Sequence, residues 1–155
     1  AADENSDLQL VIAGSDGDDS PQVNKSLDAL PSEIARRVHL IGRVSDDNIT
    51  WLYQHGVAMA YPSLDEGFGF PLLEAMSEQL PIVGSTRGSI PEVAGAAAVL
   101  VEPDDVHALA HALAEVVNNS DLRSRLQSAA VSQYAAFSWE TTVESLINLY
   151  ADLVK

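Results

Sequence analysis

Cysteine is absent from this 155-residue chain. That excludes disulfides, thiolate metal sites and a cysteine nucleophile, and leaves the compartment open. Basic residues are scarce: 8 Lys plus Arg face 23 Asp plus Glu, a net charge of −15 at pH 7. Such a surface repels phosphate backbones and anionic lipids, so no nucleic-acid binding and no direct membrane binding are expected. Long apolar runs are missing as well, and none approaches the length that spans a bilayer. The opening AADENSDLQL is acidic and polar, without the basic start and apolar stretch of a secretory leader. A cytoplasmic protein is the expectation.

What the chain does have is a core. Hydrophobic residues make up 46% of it, and its length suits one domain. Short apolar runs alternate with longer helical patterns. Leu8 to Gly14, Val38 to Gly42, Val57 to Tyr61, Ile82 to Gly84 and Ala97 to Val101 read as strands. Helical patterns lie between and after them. Pro21 to about Ala35 is helical with a break at Pro31. Another helix follows the Ser45-Asp46-Asp47 cap, and another opens at Pro71. After Asp104-Asp105, a helix carries Val106, Leu109, Ala110, Leu113, Val116 and Val117 on one face. Two more run from about Asp121 to Ala136 and, capped by Ser138, from Trp139 to Leu153. The expected class is α/β, a Rossmann-like, doubly wound parallel sheet with helices on both faces. In such folds ligands sit beyond the carboxyl ends of the strands, here the loops after Gly14, Gly42, Ser63 and Ser85.

The segment Pro62-Ser63-Leu64-Asp65-Glu66-Gly67-Phe68-Gly69-Phe70-Pro71-Leu72-Leu73-Glu74-Ala75-Met76 runs from a strand end through a glycine loop into a helix. Gly67 and Gly69 let the backbone approach a ligand. The first helical turn, near Leu72 and Leu73, is expected to offer unpartnered N–H groups to an anion without any lysine. Glu66 at the mouth and Glu74 in the first turn suit vicinal hydroxyl pairs, which carboxylates accept two at a time. The plain alternative is a stabilising carboxylate near a helix start.

Glu66 and Glu74 form E-x7-E within P-S-x-x-E-G-F-G-x-P-x-x-E-A-M. This resembles the C-terminal domain of family-four retaining glycosyltransferases of the GT-B fold. The resemblance extends through Val38 to Val44 (V-x-x-x-G-x-V), Leu52-Tyr53, Gly88 to Glu92 (G-G-x-P-E), Glu102 to Asp105 and Phe137-Ser138-Trp139. It implies that Glu74 binds ribose hydroxyls and that Glu66 holds the donor sugar, positioning it rather than attacking. It implies backbone amides of Gly67, Phe68, Gly69 and Phe70 on the sugar and those near Leu73 on the distal phosphate. Gly14 would line the pyrophosphate, and the backbone around Arg43 and Val44 would meet the nucleobase. The implied donor is a UDP- or GDP-linked sugar and the implied transfer is of the hexosyl type, with no metal and no other cofactor. The implied partner is an N-terminal acceptor domain.

The departures are specific. Gln79 stands where the family usually has glycine at the end of the E-x7-E helix, and Val57 where it often has an acid. The Ser15–Pro21 loop is unusually acidic for a pyrophosphate site. The family's first strand and helix, with their Arg and Lys clamp, have no counterpart in residues 1–155, so this stretch by itself is expected not to transfer sugar. Two other readings stay open: a non-catalytic nucleotide-sugar-binding or interaction module, and a nucleotide-sugar epimerase of the same fold. A phosphorylase is disfavoured, because Lys25 and Lys155 are the only lysines. Arg87 is the best cation for a ligand, with a solvated loop arginine as the alternative. His39 reads as a structural histidine, His55 as a helix-end cation, and His107 with His111 as an ordinary helix face. Trp51, Tyr53 and Trp139 read as packing residues. Asp16, Asp18 and Asp19 only loosely resemble a calcium loop.

Overall fold

The computed structural model describes residues 8–15, 17 and 20–154. Asp16, Asp18 and Asp19, the calcium-loop-like carboxylates, lie outside them. The chain divides into two units, Ala1–Leu52 and Tyr53–Lys155.

In the first unit, β1 (Leu10–Ala13) and β2 (Val38–Gly42) pair in parallel. The Gly14 amide extends the ladder by donating to the Gly42 carbonyl at 2.9 Å. Pro31 breaks the helical stretch between the strands as expected, into α1 (Ser20–Asp28) and α2 (Ser32–Ala35), because proline cannot continue a helix. The helix α3 (Asp46–His55) begins in this unit, with Asp46 and Asp47 in its first turn where their charges match its dipole, and its last residues, from Tyr53, belong to the second unit. None of the described residues of the first unit is buried.

The second unit holds a parallel sheet in the order β3 (Met59–Tyr61), β4 (Ile82–Ser85), β5 (Ala98–Val101). All four residues of β4 are buried. Side chains alternate across a strand, and the core follows that alternation. Ile82 joins Leu72, Met76, Ile90 and Ala130, from α4 (Phe70–Ser77), α5 (Ile90–Ala94) and α7 (Ser120–Ala135). Val83 joins Ala112, Val116, Leu122 and Leu126, from α6 (Val106–Asn118) and the front of α7. One strand thus carries a helical layer on each face, which is the expected Rossmann-like arrangement, and every strand pairing in both units is parallel.

Helix ends are set by short polar side chains. Asp105 accepts from the Ala108 amide at 2.9 Å, Asn119 from Leu122 at 3.0 Å, and Ser138 from Thr141 at 3.0 Å, where α8 (Trp139–Leu153) begins. Some readings need correction. The stripe that α6 packs inward runs through Ala108, Leu109, Ala112, Leu113 and Val116, whereas Val106 is 71% exposed and Ala110 is also exposed. Val106 is the first residue of the helix, beyond the reach of the packing layer. Trp51 and Trp139, expected to pack, are exposed. Ile90–Ala94, where no helix was expected, is the short helix α5, opened by Pro91 in its first turn.

The departure at Gln79 has a clear structural result. After α4 ends, the Gln79 amide donates to Met76 at 3.0 Å and the Leu80 amide to Ala75 at 2.9 Å. This is the paired reverse bonding that terminates a helix through one left-handed residue. Gln79 is that residue, at φ 55°, the only non-glycine with positive φ among the described residues. A side chain in this region costs about 1–2 kcal/mol. Gln79→Gly is therefore expected to raise stability by about 1 kcal/mol, since glycine's larger unfolded-state entropy offsets part of the relief. Urea denaturation checks this, and Gln79→Ala is expected to give no comparable gain.

Candidate functional site

The loops that follow β3 and β4 leave the same edge of the sheet, because the two strands run parallel. They are laced together. Ser85, the last residue of β4, donates its hydroxyl to the Ser63 carbonyl at 2.6 Å and accepts the Arg87 amide at 3.2 Å. Ser89 donates both its hydroxyl (3.1 Å) and its amide (3.2 Å) to the Glu66 carbonyl. Gly88 fills the remaining space. A Cβ there would lie 2.7 Å from the Glu66 oxygen and 2.8 Å from its nitrogen, and the residue sits at φ +57°. The G-S-I-P-E motif thus fixes the main chain that carries Glu66.

Gly69, at φ 93° and ψ 50°, stands just before α4 and turns the chain into it. Two expectations change here. Glu74 is the fifth residue of α4 rather than part of its first turn, because the helix begins at Phe70. Its charge is therefore displaced from the helix start. The Leu72 amide, expected to be free, donates to the Gly69 carbonyl at 2.9 Å, since the turn at Gly69 brings that oxygen over it. Gly67 differs from its neighbours: a Cβ there would meet nothing within 4 Å. Of the loop's aromatic side chains, Phe68 packs on the F-S-W motif. Phe68 lies 4.9 Å from Phe70 and edge-on to Phe137 at 6.0 Å, centroid to centroid.

The two glutamates are each held by a tyrosine. Tyr61, ending β3, donates its hydroxyl to Glu66 Oε2. Tyr53, near the end of α3, donates to Glu74 Oε2 at 3.1 Å. Both rings are half-buried against the core formed by Leu72, Met76 and Ile82. Burial, then the hydrogen bond and charge of Glu66, push the Tyr61 phenol up to about 12. Burial and the Glu74 charge raise that of Tyr53 further. Tyr61 also feels Glu74, and Tyr53 feels Tyr61. Each glutamate is thus paired with its own tyrosine, and the two pairs lie near enough for Tyr61 to feel both carboxylates. Tyr53, read as a packing residue, also acts as a donor, and Tyr61 was not singled out. Its place at a strand end, five residues before Glu66, carries no mark in the sequence of the bond that its hydroxyl makes.

Arg87 does not reach into this cluster. It bonds Glu102 at 2.7 Å, on an exposed pair, and Thr86 donates to the same carboxylate at 2.7 Å. In the first unit, Gly14 follows β1, and Arg43 and Val44 follow β2, so all three lie at the carboxyl edge of that sheet. His39 bonds Gln9 at 2.8 Å, the structural role expected of it. Among the described residues no group of three or more His, Cys, Asp or Glu is arranged to hold a metal. No helix of the described residues is long and apolar enough to cross a membrane.

Two glycines of this loop pair make a contrasting test. Gly88→Ala is expected to lower stability by about 1–3 kcal/mol, because the new methyl meets backbone that cannot swing aside and the left-handed φ adds strain. Gly67→Ala is expected to stay within about 0.5 kcal/mol of the parent, its methyl pointing into open space. Denaturant midpoints of the two variants measure the difference.

Comparison with known proteins bears on what this arrangement is for. The model of the family described as glycosyl transferases group 1 matches residues 1–133. O-antigen chain mannosyltransferase B of Escherichia coli is 35% identical over 113 residues, covering 73% of this chain and 30% of that protein. D-inositol 3-phosphate glycosyltransferase of Corynebacterium urealyticum is 29% identical over 150 residues, covering 94% and 35%. The chain thus spans about a third of the length of these curated relatives. Sucrose-phosphate synthase of Thermosynechococcus elongatus superimposes with a TM-score of 0.80 at 24% identity, over 94% of this chain and 38% of that one. Anabaena HepE in complex with UDP does so with 0.78 at 19%, over 94% and 41%. These two show the fold, a Rossmann-like half of GT-B. The E-x7-E loop, the motifs around it and the family match agree, and the chain belongs to the group 1 glycosyl transferase family.

Proposed function

We propose that this chain is the donor-binding half of a retaining glycosyltransferase that moves a sugar from a nucleotide sugar to an acceptor hydroxyl. The observation that carries the reading is the pinned loop with its two glutamates. Each carboxylate has one oxygen engaged by a tyrosine, which leaves the other to accept from a ligand. Donor and acceptor hydroxyls are neutral, so such a site recognises them without a cation.

Glu74 takes the ribose diol and Glu66 the donor-sugar hydroxyls. Amides of Gly67, Phe68, Gly69 and Phe70 meet the sugar, and the start of α4 near Leu73 meets the distal phosphate through the helix dipole. Gly14 lines the pyrophosphate, while Arg43 and Val44 approach the base. The open space at Gly67 supports this, because the protein's own packing does not demand a glycine there. A UDP- or GDP-linked donor fits the family, and solved relatives carry UDP and UDP-glucose. Transfer of this kind proceeds without a metal, the leaving diphosphate assisting the acceptor on the same face. The acceptor is held by an N-terminal domain of the whole, cytoplasmic protein. Without that partner residues 1–155 do not transfer sugar, because holding both reactants together supplies roughly 7–11 kcal/mol of the barrier.

The division of roles gives three distinct outcomes in the whole protein. Glu74→Ala is expected to weaken nucleoside diphosphate binding by about 1–3 kcal/mol, the cost of unpaired hydroxyls. Glu66→Ala is expected to spare that binding and depress turnover, since it meets only the sugar. Gly67→Ala is expected to keep its stability and lose nucleotide-sugar affinity. Calorimetry with UDP, GDP and their sugar-linked forms, beside a transfer assay, measures all three. Equal loss of diphosphate binding in both glutamate variants contradicts the assignment.

A further inference from the structure

The glutamate pair does not stand alone, and its support is asymmetric in a useful way. Tyr61 lies at the end of a strand and Tyr53 at the end of a helix. Both rings are wedged against the core while their hydroxyls reach Glu66 and Glu74 respectively. The rings are stiff, having few rotatable bonds, so each hydroxyl is a fixed point. A glutamate has three rotatable bonds and loses considerable freedom when held. Its carboxylate offers two oxygens and about four acceptor positions.

We infer that Tyr61 and Tyr53 are positioning residues for the donor site, each clamping Oε2 of one glutamate so that Oε1 is presented to the ligand: Tyr61 governs recognition of the donor sugar through Glu66, and Tyr53 recognition of the ribose through Glu74. The inference rests on the donor-site reading above and extends it to residues that never touch the ligand. Three physical effects follow from the clamp. It removes rotamer freedom before the ligand arrives, which strengthens binding. It withdraws negative charge from the carboxylate through a donated hydrogen bond, which suits an acceptor of neutral hydroxyls and disfavours a nucleophile. It also gives each carboxylate a neutral donor in place of a cation, in a chain of net charge −15.

The clamp needs protonated phenols. Tyr61 is raised from 10.0 to about 12, by burial first and then by Glu66. A raised value means that the stabilising contribution is complete below pH 10, and is lost as the pH rises through about 12. The ionisable groups that raise Tyr61 are Glu66 and Glu74, and those that raise Tyr53 are Glu74 and Tyr61. Below pH 10 both donors are therefore in place.

The test uses the whole protein with Tyr53→Phe and Tyr61→Phe, each alone and combined with Ala at its own glutamate. Phenylalanine keeps the ring in the core, and urea denaturation verifies that each variant folds. Binding of UDP, GDP, UDP-glucose and GDP-mannose is measured by calorimetry. Tyr53→Phe is expected to weaken the bare diphosphate by about five- to tenfold, the scale of one hydrogen-bonded contact. Tyr61→Phe is expected to leave the bare diphosphate within about twofold and to weaken the sugar-linked form by about fivefold. In the Glu74→Ala and Glu66→Ala backgrounds, respectively, the tyrosine change is expected to add nothing, because a residue that acts through another has no effect once that other is gone. Ultraviolet titration supplies a readout independent of ligand: Glu66→Ala is expected to move a phenol titration to lower pH. Glutamate variants that lose binding beside tyrosine variants that do not would overturn the positioning role alone. Additive losses in the double variants would overturn it as well. Glutamate variants with unchanged binding, or a parent that binds none of the four probes, would overturn the donor-site reading with it.

Discussion

Strand β4 is the constraint on which the second unit depends. Its four residues are buried, it pairs in parallel on both sides, and its alternating side chains feed two separate helical layers. A strand in that position has no freedom to slip, because a shift of one residue would exchange Ile82 and Val83 between layers that they do not fit. Its last residue, Ser85, is the sole buried polar residue among those described. Its hydroxyl both donates and accepts at the point where two loops meet. The rigid strand thus hands its position directly to the Glu66 loop.

The electrostatics of the glutamate cluster run against the usual pattern for an anionic ligand. The ion pair of Arg87 with Glu102 is exposed and worth little, and it engages Arg87 with a carboxylate outside the cluster. What surrounds the two carboxylates is a pair of phenols and a turn of backbone. Around those carboxylates the donors are neutral dipoles, whose attraction is short-ranged and less sensitive to ionic strength than that of a cluster of lysines.

Much of this was legible in the sequence because local rules were obeyed. The caps at Asp105 and Ser138, the break at Pro31 and all five strands follow from residue type and spacing. The glutamate pair was legible because its spacing sits inside a longer motif. The misses have separate causes. Val106 has the right periodicity for the packed face of α6, yet it stands at the helix end, past the layer that would cover it. Leu72 has an amide that a generic helix start leaves open, but the turn at Gly69 supplies a carbonyl. Tyr61 reads as the last residue of a strand; only folding shows that its hydroxyl meets Glu66. Gln79 was legible as an anomaly, and its left-handed backbone shows that the helix stop is imposed by the surrounding bonds rather than by the residue.

The lacing of Ser89 and Gly88 to the Glu66 backbone has a consequence for kinetics. A loop that already holds its shape presents no gate: an arriving molecule meets a finished surface, and the encounter is limited by diffusion and orientation rather than by a wait for closure. The ordering entropy of this loop belongs to folding, so it does not recur at each encounter. The ordering of this loop is then not a slow step in a cycle built on this unit.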